Sequence, residues 1–344
     1  VGSDQLLLAG NPYPSALDAD AFITDNINSI KSFNSPSIDG TLYFWEHYAT
    51  NNTHILRAYQ GGYAVRNLTG GIAPSSSGVD FITQSGTPSR GIPNRFIPVG
   101  QGFFVIGKLG SGGTVTFKNS QRGFYKEDDA ANSNVLYKTQ KAAKQDWKTN
   151  ENDSAVTETY KKLRLGFNSH DDFHRQVLLG FMDEKATSDI DPGYDGFNID
   201  DFPNDMYFLN GDNQLLIQGE GYFDEKASYA LGIKTDAEGK VSFNLDLVEN
   251  FDTAQRYFIY DKLTDTYNDI TTTPFEVTLS QGKTEDRFFL KFNDGKTLNS
   301  NEFVNESDAI TIRYAENQNS IIVNNPTENA ITGLTLYNIL GQNI

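Results

Sequence analysis

Leu163-Arg164-Leu165-Gly166-Phe167 and Gln176-Val177-Leu178-Leu179-Gly180-Phe181 decide the fold. Each run is short and mostly apolar, which reads as a strand and not as a helix. Further runs of the same kind lie at 214–218, 229–233, 241–245, 256–261, 275–279 and 287–292. Strands at this short, fairly even spacing, with little helical periodicity, indicate an antiparallel sandwich over 161–296. Residues 237–240 and 265–269 read as hairpin turns within it.

Working outward, residues 1–130 read as another β-sandwich, with strands at 6–9, 42–45, 102–106 and 115–117. They include one short helix. Ser15 with Asp18 three residues on, after Pro14, has the form of a capping box. Leu17, Ala21, Ile23, Ile27 and Ile30 trace its apolar face. Residues 131–160 are polar and aperiodic, a linker or long loop. The tail, 303–344, shows three strand-like runs, at 309–314, 320–323 and 333–337. Three such strands bury too little surface to stand alone. The fold class is therefore mainly β: tandem antiparallel β-sandwich domains (jelly-roll or Ig-like), then a small and incomplete Ig-like unit.

Composition narrows the functional classes. The 344 residues carry 28 Lys+Arg against 45 Asp+Glu, a formal charge of −17, and no Cys. That balance argues against nucleic-acid binding and against docking on an anionic leaflet. Disulfides and thiolate chemistry are excluded. No apolar run reaches the ~18 residues of a membrane span. Val1 is no start methionine, so the chain reads as a processed or trimmed product.

The acidity is concentrated in 165–212, where Asp189, Asp191 and Asp195 crowd one Pro-Gly turn. Calcium takes several oxygen ligands from such loops, so these three are a candidate calcium site; the competing reading is a solvated acidic loop. His170 and His174 have the i,i+4 spacing of a helical zinc pair, but strand context and the absent Glu pattern favour structural or surface roles. Tyr43 and Trp45 share a strand face and are a candidate sugar-stacking platform; the competing reading is sandwich core. No nucleophile elbow or phosphate loop occurs, and acid pairs are too common here to indicate a glycosidase. The chain reads as a non-enzyme.

Several stretches carry a resemblance. Gly10-Asn11-Pro12-Tyr13-Pro14-Ser15-Ala16-Leu17-Asp18-Ala19-Asp20-Ala21-Phe22 is similar to a segment repeated in large cell-surface proteins of the Bacteroidetes. Leu42-Tyr43-Phe44-Trp45-Glu46, the Gly-Gln-Gly-Phe-Phe-Val strand at 100–105 and Phe117-Lys118-Asn119-Ser120-Gln121-Arg122 extend it. Leu336-Tyr337-Asn338-Ile339-Leu340-Gly341-Gln342 resembles the signature of the C-terminal sorting domain of type IX secretion cargo. That family continues past this motif to a basic C-terminus, so the tail reads as truncated. The resemblance implies export across the outer membrane by the type IX translocon, display outside the cell or on its surface, and recognition by an outer-membrane β-barrel shuttle protein. The candidate contacts are Ile322, Leu334, Leu336, Tyr337, Ile339 and Leu340; their alternative role is the core of the small unit. A carbohydrate-binding surface or adhesion module is the alternative function. Asp153-Ser154-Ala155 and Asp252-Thr253-Ala254 match a short O-glycosylation pattern of such surface proteins, which makes Ser154 and Thr253 candidate glycosylation sites.

Overall fold

A computed structural model describes residues 1–27, 36–47, 61–75, 91–123, 159–200, 202–295, 311–315, 320–325, 333, 335, 336, 342 and 343. The chain forms two compact units, Val1–Asp294 and Gly295–Ile344. The architecture is mainly β. Among the described residues no helix is long and apolar enough to cross a membrane.

The first unit opens with β1 (Leu6–Gly10), β2 (Ala16–Asp18), α1 (Ala19–Ile27), β3 (Ile38–His47), β4 (Gly61–Arg66), β5 (Gly71–Ile72), β6 (Phe96–Ile97), β7 (Gly102–Gly107) and β8 (Arg122–Gly123). A five-stranded sheet runs β1-β7-β3-β4-β5, and a three-stranded one β6-β2-β8. The period of two assigns the faces of the larger one. Leu42, Phe103 and Val105 pack with α1 through Phe22 and Ile23, while Tyr43, Val65 and Ile72 turn to the other side.

The helix starts where its cap is, and the cap is Asp18, not Ser15. One Asp18 oxygen accepts the Asp20 and Ala21 amides at 3.1 and 3.3 Å, satisfying two of the orphan donors of the first turn. Arg95 holds the same carboxylate with two bonds of 2.9 and 2.8 Å. Leu17 therefore belongs to β2. Residues 115–117, expected as a strand, have no strand partner among the described residues. Their hydrogen bonds go to buried Asn26, which accepts the Thr116 amide at 2.7 Å and donates to its carbonyl at 3.0 Å. A side-chain amide here does the work of a neighbouring strand.

The rest of the first unit is β9 (Lys162–Asn168), β10 (His174–Phe181), β11 (Gly196–Phe197), β12 (Asp205–Asn210), β13 (Asn213–Glu220), β14 (Ser228–Thr235), β15 (Gly239–Glu249), β16 (Phe258–Asp261), β17 (Thr266–Asp269), β18 (Phe275–Leu279) and β19 (Gly282–Lys291). These make one eleven-stranded, nearly barrel-shaped sheet, ordered β17-β16-β19-β14-β12-β13-β10-β9-β15-β18 with β11 beside β13. All pairs are antiparallel except β10 with β13. Two expected turns change meaning. Residues 237–240 do not close a hairpin, because β14 pairs with β12 and β19 and β15 with β9 and β18. The 265–269 stretch is mostly strand β17; the turn is 262–265. Neither β12 nor β17 is visible in the sequence reading.

One core joins the sheets. Tyr43, Val65 and Ile72 pack with Leu163, Leu165, Val177, Leu178, Ile217 and Phe243. At one end Phe181, Phe223, Phe251 and Phe292 pack edge to face or stacked, with centroids 5.0–6.1 Å apart. Lys161 enters this cluster with its ammonium 5.2 and 5.1 Å from the Phe223 and Phe251 rings. The expected linker, 131–160, lies outside the described residues except for 159 and 160.

In the second unit, β20 (Thr311–Ala315) and β21 (Ser320–Asn324) form an antiparallel hairpin in the register Thr311↔Asn324 to Ala315↔Ser320. Positions 333, 335 and 336 lie outside regular structure.

Candidate functional site

The acidic turn is a structural joint. The Asp195 side chain is buried; its two oxygens accept the Gly219 amide at 2.9 Å and the Asp191 amide at 2.7 Å. Asp191 in turn accepts the Thr187 amide and hydroxyl at 2.6 and 2.8 Å. Asp189 is exposed, its amide on the Thr187 hydroxyl. Of the three carboxylates expected to share a calcium, those of Asp195 and Asp191 are thus each taken by separate donors. Among the described residues no group of three or more acids or histidines is arranged to hold a metal.

The same turn clasps the five-stranded sheet. The Gly193 amide donates to the Asp39 carbonyl at 2.7 Å, and the Gly193 carbonyl accepts the Leu68 amide at 2.8 Å. Thr41 and Thr69 hydroxyls donate to the carbonyls of Asp195 and Tyr194 at 3.0 and 2.7 Å. Tyr43 donates its hydroxyl to the Phe197 carbonyl at 3.2 Å. Tyr43 is fully buried, so of the expected aromatic pair only Trp45, 43% exposed, offers a ring to solvent. The neighbour of Trp45 is Tyr63, its cross-strand partner, with centroids 5.1 Å apart. Strand parity finds the Trp45 face but not the point where the strand leaves the core.

Arg175 places a charged group in the interior. It is wholly buried, its Nε and Nη2 on the Asp205 oxygens at 2.6 and 3.2 Å, its Nη1 on Asp200 at 3.1 Å. Phe202 covers the guanidinium at 5.1 Å, and Asn198 donates to Asp205 at 2.9 Å. Burial opposes the charge, but the two carboxylates outweigh it and hold Arg175 above its ordinary range. Burial pushes Asp200 up against the pull of Arg175. A cavity of about 60 Å³ opens beside this group, lined by Asn198, Asp200, Asp205, Tyr207, Lys234 and Lys283 among others. Asp205, Lys234 and Lys283 are successive cross-strand partners. Lys283 lies 3.8 Å from Glu285, which accepts the Tyr207 hydroxyl at 2.7 Å. The charges nearly balance, and the volume suits about two water molecules instead of an organic ligand. The sequence carries one signal for this group: parity puts Arg175 on the face of Val177, Leu179 and Phe181.

The histidines separate. His174 sits on β10 with Nδ1 at 2.8 Å from Asn168 and Nε2 at 3.0 Å from Asp246. Gln176 and Asn244 also donate to Asp246, both at 2.7 Å. Asn168 reaches Asn244 and Ser242 at 2.9 and 3.1 Å. Asp246 is the extra residue of a bulge where β15 slips against β9, which aims its carboxylate across the sheet. Gly166 leaves the floor open, because a Cβ there would strike Asp246 and Asn244. Both imidazole nitrogens are engaged, so the ring acts as a cross-strand tie with no free nitrogen to serve a nucleophile. His170 lies apart, with Nε2 3.4 Å from Asp236.

The remaining expected positions scatter. Thr253 is exposed in a turn fixed by the Asp252 carboxylate on the Ala254 amide at 2.8 Å. Leu336 is 40% exposed. Ile322 lies on β21, opposite Arg313. Ser154, Leu334, Tyr337, Ile339 and Leu340 lie outside the described residues.

The fold is that of a mainly β module. Residues 2–292 match the family described as Domain of unknown function (DUF8693), and the chain belongs to that family. Neither curated proteins nor solved structures give a match.

Proposed function

We propose that this chain is a non-catalytic cargo of the type IX secretion system. In this reading Val1–Asp294 is the displayed module, and Gly295–Ile344 carries the sorting signal read by an outer-membrane shuttle barrel. The observation that carries it is the division of the chain at Asp294/Gly295, just past residue 292 where the family match ends. The Leu336–Gln342 motif lies wholly in the second unit. An autonomous module followed by a small strand-bearing segment is what a transport signal requires, since a strand edge and apolar side chains can be read by a partner. The finer description of the fold belongs to the same proposal: successive sandwich-like layers in the first unit, then an Ig-like sorting domain. The module acts outside the cell or at its surface. In a bacterium with a working type IX system, the full chain should reach the medium or the surface and a chain ending at Asp294 should stay in the periplasm. Export of the shortened chain at the same level would sink the proposal.

A second reading rests on Trp45. Its exposed ring beside Tyr63 suits stacking against a sugar face. Glycan-array binding lost in Trp45→Ala would support a carbohydrate-binding role, and a silent array would remove it.

A further inference from the structure

We propose that the seam between the five-stranded sheet and the 191–197 turn is a proton-operated clasp, closed when the Asp39 carboxyl is protonated and loosened when it is ionised. The geometry comes first. Asp39 lies on β3 where its pairing with β7 slips between Ile38 and Leu42. Its carbonyl takes the Gly193 amide, and its Oδ1 takes the Thr41 amide at 3.0 Å. Its Oδ2 is shielded from solvent and has no hydrogen-bond partner. A carboxylate oxygen without donors is poorly tolerated away from water, whereas a neutral carboxyl is not.

Among the described residues no cation forms an ion pair with this carboxyl. Ile27 of α1 and the Gly193 backbone crowd the neighbouring Gly40. Asp4 is the like charge felt at Asp39, and the hydroxyl of Tyr43 on its own strand in turn feels Asp39. Burial is the leading cause that pushes this carboxyl up to about 7.

A second acid holds the other side of the turn. Asp195 is also pushed up to about 7, first by burial, with Asp191 on its own turn and Glu220 on β13 adding repulsion. Gln218, beside it on β13, donates to Glu220 at 2.7 Å. The cations on this side are Lys185, which acts on Tyr194 and lies 4.9 Å from the Tyr160 ring, and Lys162 and Arg164, whose charged ends approach Gly70 beside the Thr69 that donates to Tyr194. The Thr41 hydroxyl on the Asp195 carbonyl links the two acids' segments. Raising the pH through neutrality therefore puts negative charge on both sides of one turn.

Hydrogen exchange on the full chain, corrected for intrinsic chemistry, tests this. Between about pH 5.5 and 8.5, protection of the Gly193 amide should fall at least about tenfold, while Leu231 in the centre of the large sheet keeps its protection. Asp39→Asn retains an acceptor for Thr41 and cannot ionise; it should cut the Gly193 change to under about threefold. Equal protection at both pH values, parallel loss at Leu231, or an undiminished response in Asp39→Asn would each overturn the clasp. Should that variant not fold, carboxyl NMR of the unaltered chain decides. A midpoint for Asp39 between about 6 and 8 supports the proposal, and one below about 5 refutes it.

Discussion

Replacing Asp205 by alanine removes both oxygens that face Arg175 Nε and Nη2 at 2.6 and 3.2 Å. It also strands the Asn198 amide, which donates to the same carboxylate at 2.9 Å. Arg175 is fully buried and keeps only its bond to Asp200. Each charge-assisted bond contributes about 1.5–3 kcal/mol, and a buried charge stripped of a partner costs about 3–5 kcal/mol in all. Asp205→Ala should therefore destabilise the Val1–Asp294 unit by about 3–5 kcal/mol. Asp200→Asn should cost less, about 1–2 kcal/mol, because Asp200 supplies one bond and its burial already works against its charge. Arg175→Met leaves Asp200, which burial already pushes up, without its guanidinium, so its penalty should shrink as the pH falls and Asp200 takes up a proton. Urea titrations at constant m give these differences. A cost below about 1 kcal/mol for Asp205→Ala, or a larger cost for Asp200→Asn than for Asp205→Ala, would refute the account.

Asn26→Ala removes the donor and acceptor that hold Thr116. It should cost about 2–3 kcal/mol and raise hydrogen exchange at Thr116 before the rest of the unit responds. Gly40→Ala meets two obstacles: a φ of +95° and a Cβ that would sit 2.5 Å from the Gly193 Cα. It should lower stability by at least about 2 kcal/mol, read as a fall in the denaturation midpoint. The pH dependence has a definite sign. Asp39 and Asp195 are raised from 3.8 to about 7 in the folded chain. Their stabilisation is full below the unfolded value and is lost as the pH rises through about 7. Unfolding free energy should fall by up to about 4 kcal/mol per group from about pH 4 to 8, and Asp39→Asn should flatten its share of that curve.

Which parts of this molecule are legible depends on the range of the forces involved. β9, β10, β13, β14 and β19 can be read because period two and burial act on neighbouring residues. β12 stays hidden because Asp205 and Asn210 frame Met206 and Phe208 in an acid-rich stretch, and the acid that looks like surface is the partner of Arg175. The parallel pairing of β10 with β13 is not legible, since hydrophobic alternation says which face is buried but not which strand lies alongside. For the same reason 237–240 looks like a hairpin. The crowding of Asp189, Asp191 and Asp195 suggests a shared cation. Folding gives the Asp195 oxygens two backbone donors, Asp191 within the turn and Gly219 on β13, and the second is not legible from the turn. Trp45 is found by its strand face, while the burial of Tyr43 depends on a carbonyl at Phe197, distant in sequence.

The ends of the large sheet decide whether the first unit needs the tail. Lys161, where the chain enters, and Phe292, where it leaves, meet in one aromatic cluster. Gln255 closes the exit by donating to the Phe292 carbonyl at 2.8 Å, and Asn293 donates to the Glu225 carbonyl at 2.5 Å. The last strand is thus sealed by side chains of its own unit before Gly295 is reached. A chain ending at Asp294 should keep its unfolding free energy within about 0.5 kcal/mol of the full chain, because Gln255 and Asn293, which hold the exit, both lie before its end. Phe292→Ala, by contrast, opens the cluster and should cost about 3–5 kcal/mol. Calorimetry on the two variants separates a self-contained module from one completed by its tail. A loss above about 1 kcal/mol on truncation would show that the exit is held from outside, and the split between displayed module and transport signal would lose its physical basis.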